Sequence, residues 1–240
     1  MCTVLVCFAV PIAVSAQTQS ALPGSDTIIA QMGEAQAANR AGFLPYTVTR
    51  DYQLFEGDAA KSHLVADIQV VPPASKKYTI DSAAGSAWAE RIVRKALDSE
   101  VAFAQDSHAT DITRENYDFA VVGESELNGQ LCYVLKLIPR RKSRNLLRGT
   151  IWVDADTHLP RRVEGEPAKD PSWWLTNLRV AVDYGYVGPM WVQTSSKVTA
   201  NVRIFGRSSM VWQDTSYQLG DLAHGASLAQ SIVPAGEGQR

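Results

Sequence analysis

The sequence predicts an α+β fold in which a wide antiparallel sheet curls on itself and two early helices cover its concave face. Three observations predict it. Between Tyr117 and Tyr217 short alternating runs follow one another with tight turns between them, the order a meandering sheet needs. Both segments with helical periodicity lie within residues 27–105, ahead of that run. Helices segregated from strands in this way point to helices packed on one face of an antiparallel sheet rather than to βαβ units. Finally, the pattern counts to about ten strands, and an open sheet of that width tends to curl.

The elements follow in order. Met1–Ala16 is apolar almost throughout, carries no charged side chain and ends in Ala13-Val14-Ser15-Ala16. That reads as a signal peptide with a small-residue cleavage site, although the usual basic residue near its start is missing, and the mature chain would begin at Gln17. Residues 17–25 read as a linker and 26–219 as one domain. Ser25-Asp26 offers a cap for a helix over Thr27–Ala41, with Ile28, Ile29, Met32 and Ala35 as its apolar stripe and Gly42 as its stop. Tyr46–Phe55 alternates as Tyr46, Val48, Arg50, Tyr52, Leu54. After a turn at 56–58, Leu64, Ala66, Ile68 and Val70 share one face of the returning strand. Pro72-Pro73 ends that strand, and Lys77–Asp81 forms another.

Ala87–Gln105 contains no Gly or Pro, and Trp88, Ile92, Val93, Ala96, Leu97 and Val101 recur at helical spacing. Its other side carries Glu90, Arg91, Arg94, Lys95 and Asp98, a solvated face. Asn128-Gly129 between two alternating runs is a strong hairpin signal. Beyond it Leu131, Tyr133, Leu135 and Leu137 share a face, and Trp152 and Asp154 precede a turn at Ala155–His158. Leu178, Val180, Val182, Tyr184 and Tyr186 alternate with Arg179, Ala181 and Asp183, so one side is apolar and the other wet. Met190–Ile204 and Ser209–Tyr217 form a last hairpin through Phe205-Gly206-Arg207. Residues 220–240 are rich in Ala, Gly and Ser without periodicity and read as a disordered tail.

Composition excludes several functions. At 240 residues with a net charge of −2, the chain lacks the basic surplus of a nucleic-acid binder. Histidines 63, 108, 158 and 224 are scattered with no paired spacing and no adjacent cysteine, so no metal site is expected. No nucleophile elbow, phosphate loop or dinucleotide fingerprint is present, and no cofactor and no enzymatic activity are expected. Cys2 and Cys7 fall in the removed segment, which leaves Cys132 alone in an alternating strand as a small packed thiol.

Two surface motifs remain. Pro139–Arg148 (PRRKSRNLLR) holds five positive charges and no acid. It reads as a solvated hairpin loop, with contact to anionic headgroups or an acidic partner as the competing reading. Trp173-Trp174 follows Pro171, and because adjacent strand residues face opposite ways, one of the pair is expected in the core and the other at the rim.

The run NYDFAVVGESELNGQLCYVLKLIPRRK and the following LLRGTIWVDADTHLPRRVEGEPAKDPSWW resemble the outer-membrane lipoprotein-sorting superfamily, the LolA/LolB-like group that includes the RseB-type regulators. The resemblance runs from Asp26 to about Tyr217. It implies an incomplete antiparallel β-barrel closed by helices, with a hydrophobic cavity for acyl chains, and a soluble periplasmic protein without the acylated cysteine of the LolB type. On that expectation Trp88, Ile92 and Leu97 face the cavity from a helical lid. Opposite them stand Ile68 and Val70, Leu135 and Leu137, then Val180, Val182, Tyr184 and Val202. The implied function is a non-enzymatic carrier for lipid or acylated lipoprotein, acting as a monomer between transient membrane-protein donors and acceptors. The alternative is an RseB-like regulatory module that binds a protein partner, although this chain ends without the extra C-terminal domain usual there.

Overall fold

A computed structural model of the chain describes residues 22–105, 110–170, 172–204, 206–220 and 228–231. The expected signal peptide, His108, His224, Phe205 and most of the tail lie outside them.

Helix α1 spans Ser25–Ala41. The expected cap is corrected: Gly24 occupies the N-cap position without a side-chain hydrogen bond, and Asp26 lies inside the first turn. There Asp26 accepts from Arg114 at 2.5 Å while its charge suits the positive end of the helix. Strands β1 (Tyr46–Glu56), β2 (Ala59–Val71) and β3 (Ser75–Gly85) then form a three-stranded meander. β3 is longer than the alternation predicts because its ladder with β2 continues through the small residues Ser82–Gly85. Helix α2 occupies Ala87–Gln105, the predicted span. Seven strands follow: β4 (Tyr117–Leu127), β5 (Gln130–Pro139), β6 (Leu147–Asp154), β7 (Pro160–Pro167), β8 (Leu175–Val187), β9 (Met190–Val202) and β10 (Gly206–Leu219).

Ten strands pair in the order β3-β2-β1-β10-β9-β8-β7-β6-β5-β4, all antiparallel. The first meander thus joins the second through β1 and β10, the one long-range pairing in the path. β3 and β4 are the two outer edges and do not pair with each other, so the sheet is an incomplete, curved barrel. The chain crosses between those edges through α2.

Two cores, each built on one helix, lie on the helix-bearing face. α1 contributes Ile28, Ile29 and Met32 to a cluster with Tyr117, Leu135, Leu137, Leu146, Ile151, Val153 and Val163. α2 contributes Val93 and Leu97 to a second cluster with Val48, Tyr52, Leu64, Ala66, Ile68, Met190 and Trp212. Each fully buried aliphatic side chain contributes about 1.5–3 kcal/mol. The end of α1 is also tied to β9: Asn39 donates to the Trp191 carbonyl at 2.7 Å and accepts from the Trp191 N–H at 2.9 Å. In the second meander Gly149 of β6 faces Gly165 of β7, and a Cβ on Gly149 would meet the Glu164 carbonyl oxygen at 1.8 Å. Only glycine permits that approach of two backbones.

A further strand, β11 (Leu228–Ser231), falls inside the segment whose composition predicts no regular element. It pairs with Ser216–Leu219 of β10, the stretch that β9 leaves unpaired after Gln213. A free row of backbone donors and acceptors is itself a template for pairing, and that need not show in side-chain composition.

Candidate functional site

The predicted ligand face divides among three places. Leu135 and Leu137, at 0% and 1% exposure, are walls of the α1 core. Ile68 and Leu97, each at 1%, sit in the α2 core with Val70 half-buried beside them. Ile92 is corrected: at 39% exposed it lies on the flank of α2, because the buried stripe runs through Ala89, Val93 and Leu97. Trp88 is half-buried one turn earlier. The rest of the predicted face is half-buried, Tyr184 packed against the α1 core and Val180, Val182 and Val202 outside both cores; on β9 Val192 packs against the α2 core and Val198 against neither.

Val180, Val182, Val198 and Val202 define the candidate site. Val182 pairs with Ser196 and Val180 with Val198, so a short apolar strip runs across β8 and β9 between the two helix-covered cores. Leu175 opposite Val202 extends it toward the end of the sheet. The three cavities described, of about 120, 590 and 190 Å³, are lined largely by polar side chains; the first includes Tyr184 and the third Val180, beside Arg179, Lys197 and Thr199. The expected apolar chamber is not among them, and the strip is an open furrow.

Beside the strip lies a cluster that sequence reasoning passed over. Arg50 and Asp214 face each other on β1 and β10, both on the helix-bearing face, at 4% and 2% exposure. The Arg50 guanidinium donates to both Asp214 oxygens and, through Nη1, to Glu100 of α2 at 2.8 and 3.0 Å. It also lies 3.6 Å from the centre of the Trp212 ring. Lys76 of β3 donates to the same Glu100 carboxylate at 2.7 Å. Burial opposes ionisation of Glu100, but Arg50 and Lys76 outweigh it and hold the carboxyl down at about 2. Burial pushes the Asp214 carboxyl up against the pull of Arg50. A buried charge pair costs desolvation that only full hydrogen bonding offsets, and here every oxygen of the two acids has a partner. The signal was visible as a cation at an inward position of the alternation Val48, Arg50, Tyr52.

The remaining candidates are placed as follows. Cys132 is fully buried, and burial pushes its thiol up to about 11, so it is a packed and inert group. Among the described residues no group of three or more His, Cys, Asp and Glu could hold a metal ion. The basic run 139–148 is an exposed connection between β5 and β6, anchored by buried Leu146. The expectation for the tryptophan pair is overturned: Trp173 and Trp174 are 77% and 43% exposed. They lie in the turn before β8, where the two-faced alternation of a strand does not operate.

Comparison with known proteins adds the following. Among solved structures the chain is similar to a Vibrio parahaemolyticus domain assigned to outer-membrane lipoprotein sorting, with 14% identity over 81% of this chain and 93% of that one, at a TM-score of 0.47. It is similar to a DUF1329 family protein from Desulfovibrio piger, with 12% identity over 85% and 96% of the two chains and a TM-score of 0.45. It is also similar to a LolA superfamily protein from Nitrosomonas europaea, with 12% identity over 84% and 96% and a TM-score of 0.37. No curated protein matches. A family model described as "Uncharacterized protein"-like matches residues 93–220, from the middle of α2 to the end of the main sheet. That match takes in more than half of the sequence, and the chain belongs to this family.

Proposed function

We propose that the protein is an exported, non-enzymatic carrier that lays the acyl chains of a lipid or lipoprotein along its helix-bearing face, in the periplasm and in the service of outer-membrane lipoprotein sorting. The observation that carries this reading is the half-buried strip of Val180, Val182, Val198 and Val202 between two fully packed cores. An acyl chain placed there leaves water at a gain of about 0.8 kcal/mol per CH₂. Lifting α2 widens the furrow, and α2 is seated on a small apolar stripe and held by two carboxylates, Glu100 on Arg50 and Lys76 and Asp98 on the Tyr78 hydroxyl at 2.7 Å, which suits a lid.

The packed state of both cores also supports a second reading, a regulatory module whose partner is another protein. Native mass spectrometry of the processed protein from a periplasmic extract, followed by lipid extraction, separates the two. The carrier reading expects a co-purifying acylated species and uptake of a fluorescent fatty acid, both lost in Val182→Lys. A ligand-free protein that also refuses the probe would sink the carrier and leave the regulatory module.

A further inference from the structure

The two surface motifs that the carrier reading leaves unused lie side by side. β5, β7 and β9 all run toward the same end of the sheet, and β6, β8 and β10 return from it. The connections β5–β6, β7–β8 and β9–β10 therefore stand in a row at that end. Contacts tie them together. The Ala168 N–H donates to the Leu146 carbonyl at 2.8 Å, linking the first connection to the second, and the Arg203 N–H donates to the Trp174 carbonyl at 3.0 Å, linking the second to the third. The Arg203 guanidinium also lies 5.3 Å from the centre of the Trp173 ring.

From this row we propose that the β5–β6, β7–β8 and β9–β10 end of the sheet is a docking surface for an anionic lipid bilayer. Its tips are apolar and exposed: Trp173 at 77%, Trp174 at 43% and Ile204 at 87%. Around them stand exposed cations, Arg140, Lys142 and Arg144 on the first connection, Lys169 on the second, Arg203 on the third and Arg207 at the start of β10. Arg140 is paired with Asp118 and Arg148 with Glu166, and Asp170 is the acid of the middle connection. The β1–β2 turn, whose Gly57 N–H donates to the Arg207 carbonyl at 2.7 Å, adds Asp58 and Glu56, the latter paired with Lys61. The rim still keeps a positive surplus although the whole chain carries −2. The opposite end differs: the β4–β5 turn is Asn128-Gly129 and the β6–β7 turn carries Asp156, with no Lys, Arg or Trp in either.

Tryptophan is favoured at the headgroup level of a bilayer, where its ring is apolar and its N–H is wet. Stable attachment needs two signals, and shallow apolar insertion together with a basic patch supplies both. Each cation near an anionic surface strengthens attachment by about fivefold. The three cavities described are not lined by these tips, so the rim offers points for insertion rather than a groove for a partner's side chains. This proposal rests on the rim alone and not on the carrier reading.

The test is sedimentation of the processed full-length chain with vesicles of phosphatidylethanolamine and phosphatidylglycerol, and with vesicles of phosphatidylcholine, at low and high salt. The anionic vesicles should carry the protein down at low salt, release it at high salt, and shift its tryptophan emission to the blue. The pairs Trp173→Ala/Trp174→Ala and Lys142→Glu/Arg144→Glu should each weaken binding by about tenfold or more with an unchanged unfolding midpoint. Equal binding to both vesicle types, or variants that bind like the parent, overturns the proposal. Failure to bind either vesicle also overturns it and leaves the rim to a protein partner. Fatty-acid uptake measured without vesicles is read separately, so loss of docking with retained uptake refutes the rim alone, and the converse refutes the carrier alone.

Discussion

Arg50 of β1 and Glu100 of α2 meet across the boundary between sheet and helix, Nη1 to Oε1 at 2.8 Å. Arg50 is held from its other side by Asp214, so a single guanidinium joins two strands and a helix. Val93 and Leu97 give α2 a narrow apolar seat, and Glu100, one turn beyond Leu97, fixes where along the sheet that seat lies.

Glu100→Gln keeps the shape of the side chain and removes its charge. It should lower stability by about 1–3 kcal/mol, the usual cost of weakening a buried charge-assisted hydrogen bond. Hydrogen exchange should show residues 87–105 losing protection more than 25–41. Equal loss in both helices would show that the carboxylate does not hold α2.

The same carboxyl predicts a pH dependence. Its folded value of about 2 lies below the ordinary 4.5, so its stabilisation is complete above about 4.5 and is lost as pH falls toward about 2. Thermal unfolding across that window should therefore fall more steeply for the parent than for Glu100→Gln, with Asp214 present in both. Parallel curves would contradict the assignment.

The paired glycines give a sharper contrast. In Gly149→Ala the new methyl would sit 1.8 Å from a backbone oxygen and 2.5 Å from Gly165 Cα, neither of which can swing aside. A loss of about 3 kcal/mol or more is expected, read as a collapse in soluble yield or unfolding midpoint. In Gly33→Ala the methyl meets nothing within 4 Å and lies within α1, so a gain of about 0.5–1 kcal/mol is expected.

Leu135→Ala and Val182→Ala probe the wall and the furrow. The first opens a cavity in a packed core and should cost about 2–5 kcal/mol by urea unfolding. The second removes a half-buried side chain from the strip and should cost less than half as much. Similar costs would mean that the furrow is as tightly packed as the cores.

Local pattern made the elements readable and left their assembly obscure. α2 was legible to the residue because Gly85 stands just before it and no Gly or Pro interrupts it. The strands followed from alternation and from Asn128-Gly129, where both residues take positive φ as that turn demands. The placement of β1 beside β10 leaves no local mark, since it joins segments more than 150 residues apart. For the site, alternation identifies which side chains face the helices but not which of them a helix covers. Leu135 and Val182 look alike in sequence, and only the position of α1 distinguishes wall from furrow. The tryptophan pair was misread because a rule for strands was applied to a turn.

The separation of the two cores has a mechanical consequence. Each helix packs on its own portion of the sheet, and between the two cores the ladder of residues 179–183 of β8 with 195–199 of β9 carries the connection. Strand pairs change their twist by small adjustments spread over many hydrogen bonds, whereas a packed core resists any rearrangement of its side chains. With α2 seated, the molecule can therefore alter its girth by coiling or uncoiling its middle strands, like a clasp whose spring is backbone.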